Sequence, residues 1–113
     1  MGAFAYSSDP NATVKLAVKD SQVNKNNYGL VATSDSGAPA ILTASGNMIT
    51  NSGIYGVYAQ GPGAKVWATG NTVTDNVTGL STGSSGVIES AGNNAVRNNG
   101  TDQSGTVTVI PMK

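Results

Sequence analysis

Apolar residues return along this chain at a fixed long interval, with polar residues on either side of each. Val23, Ile49, Val73 and Val96 form one such column, spaced 26, 24 and 23 residues apart. Three residues further on stand Asn26, Ser52, Asn76 and Asn99. A glycine column, Gly29, Gly56 and Gly79, immediately precedes Leu30, Val57 and Leu80. Upstream of each valine-type position a second segment aligns, as "KLAVKD", "ILTASG", "KVWATG" and "VIESAG". It yields the columns Leu16, Leu42, Val66, Ile88 and, two residues on, Val18, Ala44, Ala68, Ser90. Between them lie Ala17, Thr43, Trp67 and Glu89. Alternation with period two marks a strand. The two flanking columns therefore point one way, and the middle column points the other.

Each repeat holds about three strand-like pieces joined by Gly, Asn, Ser and Thr turns, residues that oppose a helix and accept corner conformations. Hairpins do not explain why the same columns come back in every repeat, whereas a solenoid does. The pattern predicts an all-β, right-handed parallel β-helix of about four coils of 23–26 residues, with three short strands per coil. The hand follows from the general preference for right-handed parallel crossovers. One domain spans 1–113: an N-terminal cap or partial coil over 1–13, coils over 14–104, and a C-terminal partial strand and cap over 105–113. Phe4 and Tyr6 are expected to fold over the first coil. At the other end Val107, Val109 and Ile110 supply a last strand, and Pro111 and Lys113 guard its edge. Four coils at about 4.8 Å each make a stack only about 20 Å tall. That shortness points to further coils before Ala3 or to self-association through coil ends or a flat face.

Composition narrows the function. Six basic and six acidic residues give zero net charge and are scattered singly, so a nucleic-acid role is not expected. No apolar run reaches the length of a membrane-spanning helix. Cysteine and histidine are both absent, which removes thiol chemistry and the commonest zinc ligands and acid–base groups. No cofactor or metal is expected. Met1 to Tyr6 lacks the basic and apolar regions of a signal peptide.

Within this pattern, "GNTVTDNVTGLSTGSSGVIESAGNNAVRNNGTDQSGTVTVI", Gly70 to Ile110, resembles the closing coils of bacterial right-handed parallel β-helix repeat proteins of the pectin-lyase-like type. The "N-x-V-x-[DN]-N…G-L" and "G-x-I-x-S-x-G-N-N" runs carry the likeness, and Val14 to Ala64 fits more loosely. The resemblance implies an extracellular or cell-surface location. It also implies a polysaccharide as a ligand for some members, which cleave or bind acidic polysaccharides, and phage tailspikes share the fold.

Enzymes of that type need clustered carboxylates, and glycoside cleavage wants two of them about 5 to 9.5 Å apart. Here Asp9, Asp20, Asp35, Asp75, Glu89 and Asp102 share no column in adjacent coils. Asp75 aligns with Asn51 and Asn98, Asp20 with Gly46 and Gly70, and Glu89 with Trp67. The expected function is a non-catalytic scaffold or adhesion module. The alternatives are a carbohydrate-binding module, or the C-terminal part of a polysaccharide-degrading enzyme whose site lies on other coils. The candidate ligand-binding residues are Trp67, outward between Thr43 and Glu89, and Tyr58, outward on another strand between Val31 and Ser81. Tyr28 and Tyr55 are expected to brace a corner. Asn-x-Thr occurs at Asn11, Asn76 and Asn99, and the last two fit a ladder of stacked amides better than a modification site.

Overall fold

The computed structural model describes residues 2–110 as a right-handed parallel β-helix of about four coils. The strands are β1 (Ala3–Ser7), β2 (Val14–Lys19), β3 (Gln22–Asn24), β4 (Tyr28–Ser34), β5 (Ala40–Ser45), β6 (Met48–Thr50), β7 (Tyr55–Gln60), β8 (Ala64–Thr69), β9 (Thr72–Thr74), β10 (Thr78–Gly83), β11 (Val87–Ser90), β12 (Ala95–Val96), β13 (Thr101–Ser104) and β14 (Val107–Val109). Every third strand stacks in parallel, which gives three sheets: β1-β4-β7-β10-β13, β2-β5-β8-β11-β14 and β3-β6-β9-β12. The register is that of the sequence columns. Leu16 pairs Leu42, Leu42 pairs Val66 and Val66 pairs Ile88, while Val23, Ile49, Val73 and Val96 stack in turn.

These columns point inward and meet Leu30, Val57 and Leu80 from the third sheet in one apolar cluster. Large residues stand beside small ones: Leu42 beside Ala44, and Val66 beside Ala68, all buried. In the inner coils a narrow interior walled by three sheets has room for one branched side chain per strand and little more, so alanine or serine takes the adjoining position. The end coil shows what stacking contributes. Leu16 and Val18 pack against the core but are only half-buried, whereas their counterparts Leu42 and Ala44 are fully enclosed by a coil on each side.

Two corners per coil turn the chain around the smallest sheet, and both need left-handed backbone. Asp20, Gly46 and Gly70 make the first at φ 52°, 67° and 64°, and Lys25, Asn51, Asp75 and Asn98 the second at 55–61°. Asn, Asp and Gly tolerate this region better than other residues. That explains why acids align with Asn and Gly in the sequence. The third connection, over 8–13, 35–39, 61–63 and 84–86, varies in length and absorbs the differences between repeats.

Behind each corner runs a ladder of asparagine amides. In the first, the Ser21 and Asn47 N–H groups donate to Asn47 Oδ1 and Asn71 Oδ1, each at 3.0 Å, and Asn71 N–H donates to Asn94 Oδ1 at 2.8 Å. In the second, Ser52 and Asn76 donate to Asn76 Oδ1 and Asn99 Oδ1, each at 2.9 Å. Each amide also reaches back to a strand carbonyl one coil behind, as Asn71 Nδ2 does to Ala44 O and Asn76 Nδ2 to Ile49 O. The ladder therefore satisfies buried polar groups that the strands leave over. Asp102 ends the second ladder, because its carboxylate accepts from both the N–H and the Nδ2 of Asn99.

The N-terminal segment departs from one expectation. Phe4 and Tyr6 do not fold over the first coil. They lie in β1, which pairs with β4 in the coil register, Phe4 opposite Val31 and Tyr6 opposite Thr33. Ala5 and Ser7 take the inward places and Phe4 and Tyr6 the outward ones. Gly2 adds a fourth member to the glycine column, its N–H donating to Gly29 O at 2.9 Å. At the other end Val107 and Val109 lie in β14, which pairs with β11, but the strand stops short of Ile110, whose N–H still donates to Ser90 O at 2.7 Å. The guarding positions Pro111 and Lys113 lie outside the described residues.

Ser52 interrupts the second ladder. It is 3% exposed, and its Oγ has no partner among the described residues. Ser52→Asn restores the amide in the frame its neighbours use, with Asn76 Oδ1 already holding the backbone at that position. Stability in urea is expected to rise by about 1 kcal/mol, the net value of one added buried hydrogen bond. An unchanged or lower midpoint contradicts the ladder as a source of stability.

Candidate functional site

Trp67 sits at the centre of β8, and the alternation that buries Val66 and Ala68 turns its indole outward. It pairs with Thr43 on one side and Glu89 on the other. The ring is 45% exposed. Its Nε1–H donates to Glu89 Oε1 at 2.6 Å, and Lys65 Nζ lies 3.5 Å from the same oxygen. The ammonium also stands 5.9 Å from the indole centroid, at the outer limit of a cation–π contact. The ion pair is partly exposed, with side chains 38% and 26% accessible, so its contribution to stability is small. Its effect is orientation: Glu89 fixes the indole by its polar edge and leaves the apolar face free.

That face borders a cleft of about 400 Å³ in which Thr43, Thr69, Ser90 and Ile110 join Trp67 and Glu89. An aromatic face beside hydroxyl and carboxylate groups can stack on the C–H side of a sugar ring while bonding its hydroxyls.

Tyr58 pairs with Val31 and Ser81, the neighbours its column predicts, on a different sheet from Trp67. It is not a lone outward ring. Tyr55 stacks on it at 4.5 Å and 19°, and Tyr28 at 6.1 Å and 25°. Tyr28 and Tyr55 flank the corner as expected and contact each other at 5.8 Å. The Tyr58 phenol lies over Gly83, where an added Cβ would come within 3.1 Å of its hydroxyl. Burial, and then the neighbouring Tyr55 and Tyr28, raise the Tyr58 phenol above its ordinary value. On β1, Tyr6 donates to Asp35 Oδ2 at 2.5 Å, and this bond raises its phenol in the same sense.

The carboxylates lie in separate places. Asp20 and Asp75 occupy corners, Asp9 caps the Asn11 N–H at 2.9 Å, Asp35 receives Tyr6, Asp102 ends a ladder and Glu89 holds Trp67. Among the described residues no group of three His, Cys, Asp or Glu is arranged to hold a metal ion, and no helix is long and apolar enough to cross a membrane.

Two features escaped the sequence columns. The first ladder, Asn47, Asn71 and Asn94, was signalled by Gly46-Asn47 and Gly70-Asn71, but Gly92-Asn93-Asn94 shifts the partner by one residue. Asn93 is the inserted one, and it accepts from Gly70 N–H at 2.8 Å. The place of Phe4 and Tyr6 was signalled by Gly2, Ala5 and Ser7, which repeat Gly29, Ala32 and Ser34.

No family model matches this chain, no curated protein matches it, and no solved structure matches it.

Proposed function

We propose that this chain is a non-catalytic scaffold, an adhesion module of a secreted or cell-surface bacterial protein of the pectin-lyase-like β-helix type. The observation that carries the reading is where the acidic and amide side chains go. Glu89, Asp35 and Asp102 are each held in a contact that fixes another side chain, and the asparagines are held between coils. The polar groups are spent on rigidity, and the product is a set of flat faces that present outward residues in fixed register. Incubated with polygalacturonate, xylan or β-glucan, the protein is expected to release no reducing ends or unsaturated products. Turnover that disappears in Glu89→Gln contradicts this reading.

A second reading is carbohydrate binding at Trp67, and the pinned indole over an open cleft favours it. Of the neighbouring outward residues of that sheet, Thr43 and Lys65 are short or charged and Ile41 and Val87 are aliphatic, so Trp67 alone offers an aromatic face there. Trp67→Ala is expected to weaken glycan binding at least about tenfold, as for an aromatic anchor, with the fold retained by circular dichroism. Unchanged affinity for every glycan bound by the parent protein removes Trp67 as the site.

A further inference from the structure

We propose that Tyr55 and Tyr58, with Tyr28 beside them, form an oxidative cross-linking site, at which peroxide-driven one-electron oxidation joins Tyr55 to Tyr58 as dityrosine. Both residues lie on β7, and their rings stack at 4.5 Å and 19°. Tyr28, one coil back on β4, stands 6.1 Å from Tyr58 and 5.8 Å from Tyr55. Three of the four tyrosines of the chain therefore make one cluster. All three are half-buried, so the rings cover one another and still reach solvent.

The fold does not require phenols here. In the next coil Thr78 takes the place of Tyr55 and Ser81 the place of Tyr58, with the same strand pairing. The interior is filled from this sheet by Leu30, Val57 and Leu80. The phenols add a chemistry that the repeat otherwise lacks. The chain has no cysteine, so no disulfide can form within it. Coupled phenols are a covalent link that its side chains can make.

Geometry selects the pair. Coupling joins ring carbons next to the hydroxyl-bearing carbons, so the two rings must overlap. Tyr55 and Tyr58 are the nearest to each other and the most nearly parallel, whereas Tyr28 meets Tyr55 at 41°. Tyr28 contacts both, so an oxidation that begins on it passes to the pair. Tyr6 is placed differently. Its ring partner is Phe4, at 5.5 Å, which has no hydroxyl, and its own hydroxyl donates to Asp35. No other phenol stacks on Tyr6 among the described residues, so any coupling at Tyr6 must join two molecules.

The step balances with hydrogen peroxide as the oxidant and a haem peroxidase as its activator. Each phenol gives up one electron and its hydroxyl proton. The two phenoxyl radicals then form one carbon–carbon bond between ortho carbons. The two ortho hydrogens move as protons to the oxygens and restore both hydroxyls. The two electrons and two protons that left reduce one hydrogen peroxide to two waters.

Oxidation of dilute protein with a haem peroxidase and limiting hydrogen peroxide, followed by separation of monomer from dimer, tests the assignment. The monomer is expected to show dityrosine fluorescence and a mass lower by two hydrogens. Tyr58→Phe keeps the ring but lacks the hydroxyl, and it should lower this yield at least about tenfold, because the stacked pair reacts at a high effective concentration. Tyr28→Phe and Tyr6→Phe should leave the Tyr55–Tyr58 product in place, identified by fragmentation of the linked peptide. An unchanged monomer yield in Tyr58→Phe overturns the proposal. So does dityrosine confined to dimers and removed by Tyr6→Phe. A monomer that takes up oxygen at methionine or Trp67 and shows no dityrosine overturns it equally.

Discussion

An asparagine amide of one coil occupies the space where a glycine of the preceding coil would carry its Cβ. A Cβ on Gly56 would lie 3.0 Å from Asn76 Nδ2, and one on Gly79 would lie 2.8 Å from Asn99 Nδ2. Each would also press on the carbonyl oxygen at the same place in the next coil, 2.8 Å away at Gly79 O and 2.7 Å at Asp102 O. The glycine column and the asparagine column are therefore one device. Glycine lets the backbones approach to strand spacing, and asparagine fills the gap while bonding the coil behind through both ends of its amide. The apolar columns can stack only at that spacing. The last coil shows the rule from the other side: Asp102 takes the glycine's place, and its carboxylate does for Asn99 what the next asparagine would do.

This dependence explains which parts of the fold were legible in the sequence. A column that must be apolar in every coil, such as Val23, Ile49, Val73 and Val96, announces itself by repetition, and so does the glycine it depends on. The corners were legible for the same reason, since left-handed backbone confines Asp20, Gly46 and Gly70 to a few residue types. Repetition fails where a coil changes length or loses a neighbour. Asn93 moves the first ladder out of step, and β1 stands at the edge, where its outward rings resemble the apolar residues of a cap. The sheet pairing, not the residue types, sends Phe4 and Tyr6 to the outer face.

The same logic separates fold from function at the surface. Inward and corner positions answer to stacking, so their residues say nothing about a ligand. Outward positions are free of it. Trp67 and Tyr58 were both legible as outward from the alternation around them. Their surroundings were not. The bond from Trp67 to Glu89 needs the register of β8 and β11, one coil apart. The ring cluster around Tyr58 draws on β4 and β7 together and on the absence of a side chain at Gly83. A repeat that fixes its own interior this firmly leaves whole faces open to vary, and both candidate surfaces lie on such faces.

Native-state hydrogen exchange at individual amides tests the interlock most directly. The backbone N–H groups of Asn47, Ser52, Asn71 and Asn76 donate to side-chain oxygens at corners, positions that in an ordinary turn would exchange by local opening. If the ladders hold the coils together, these amides exchange only with global unfolding, as slowly as those of Leu42, Val66 and Val57 in the core strands. If they exchange orders of magnitude faster while the core strands stay protected, the coils are held by their apolar columns alone and the ladders are ornament on the stack.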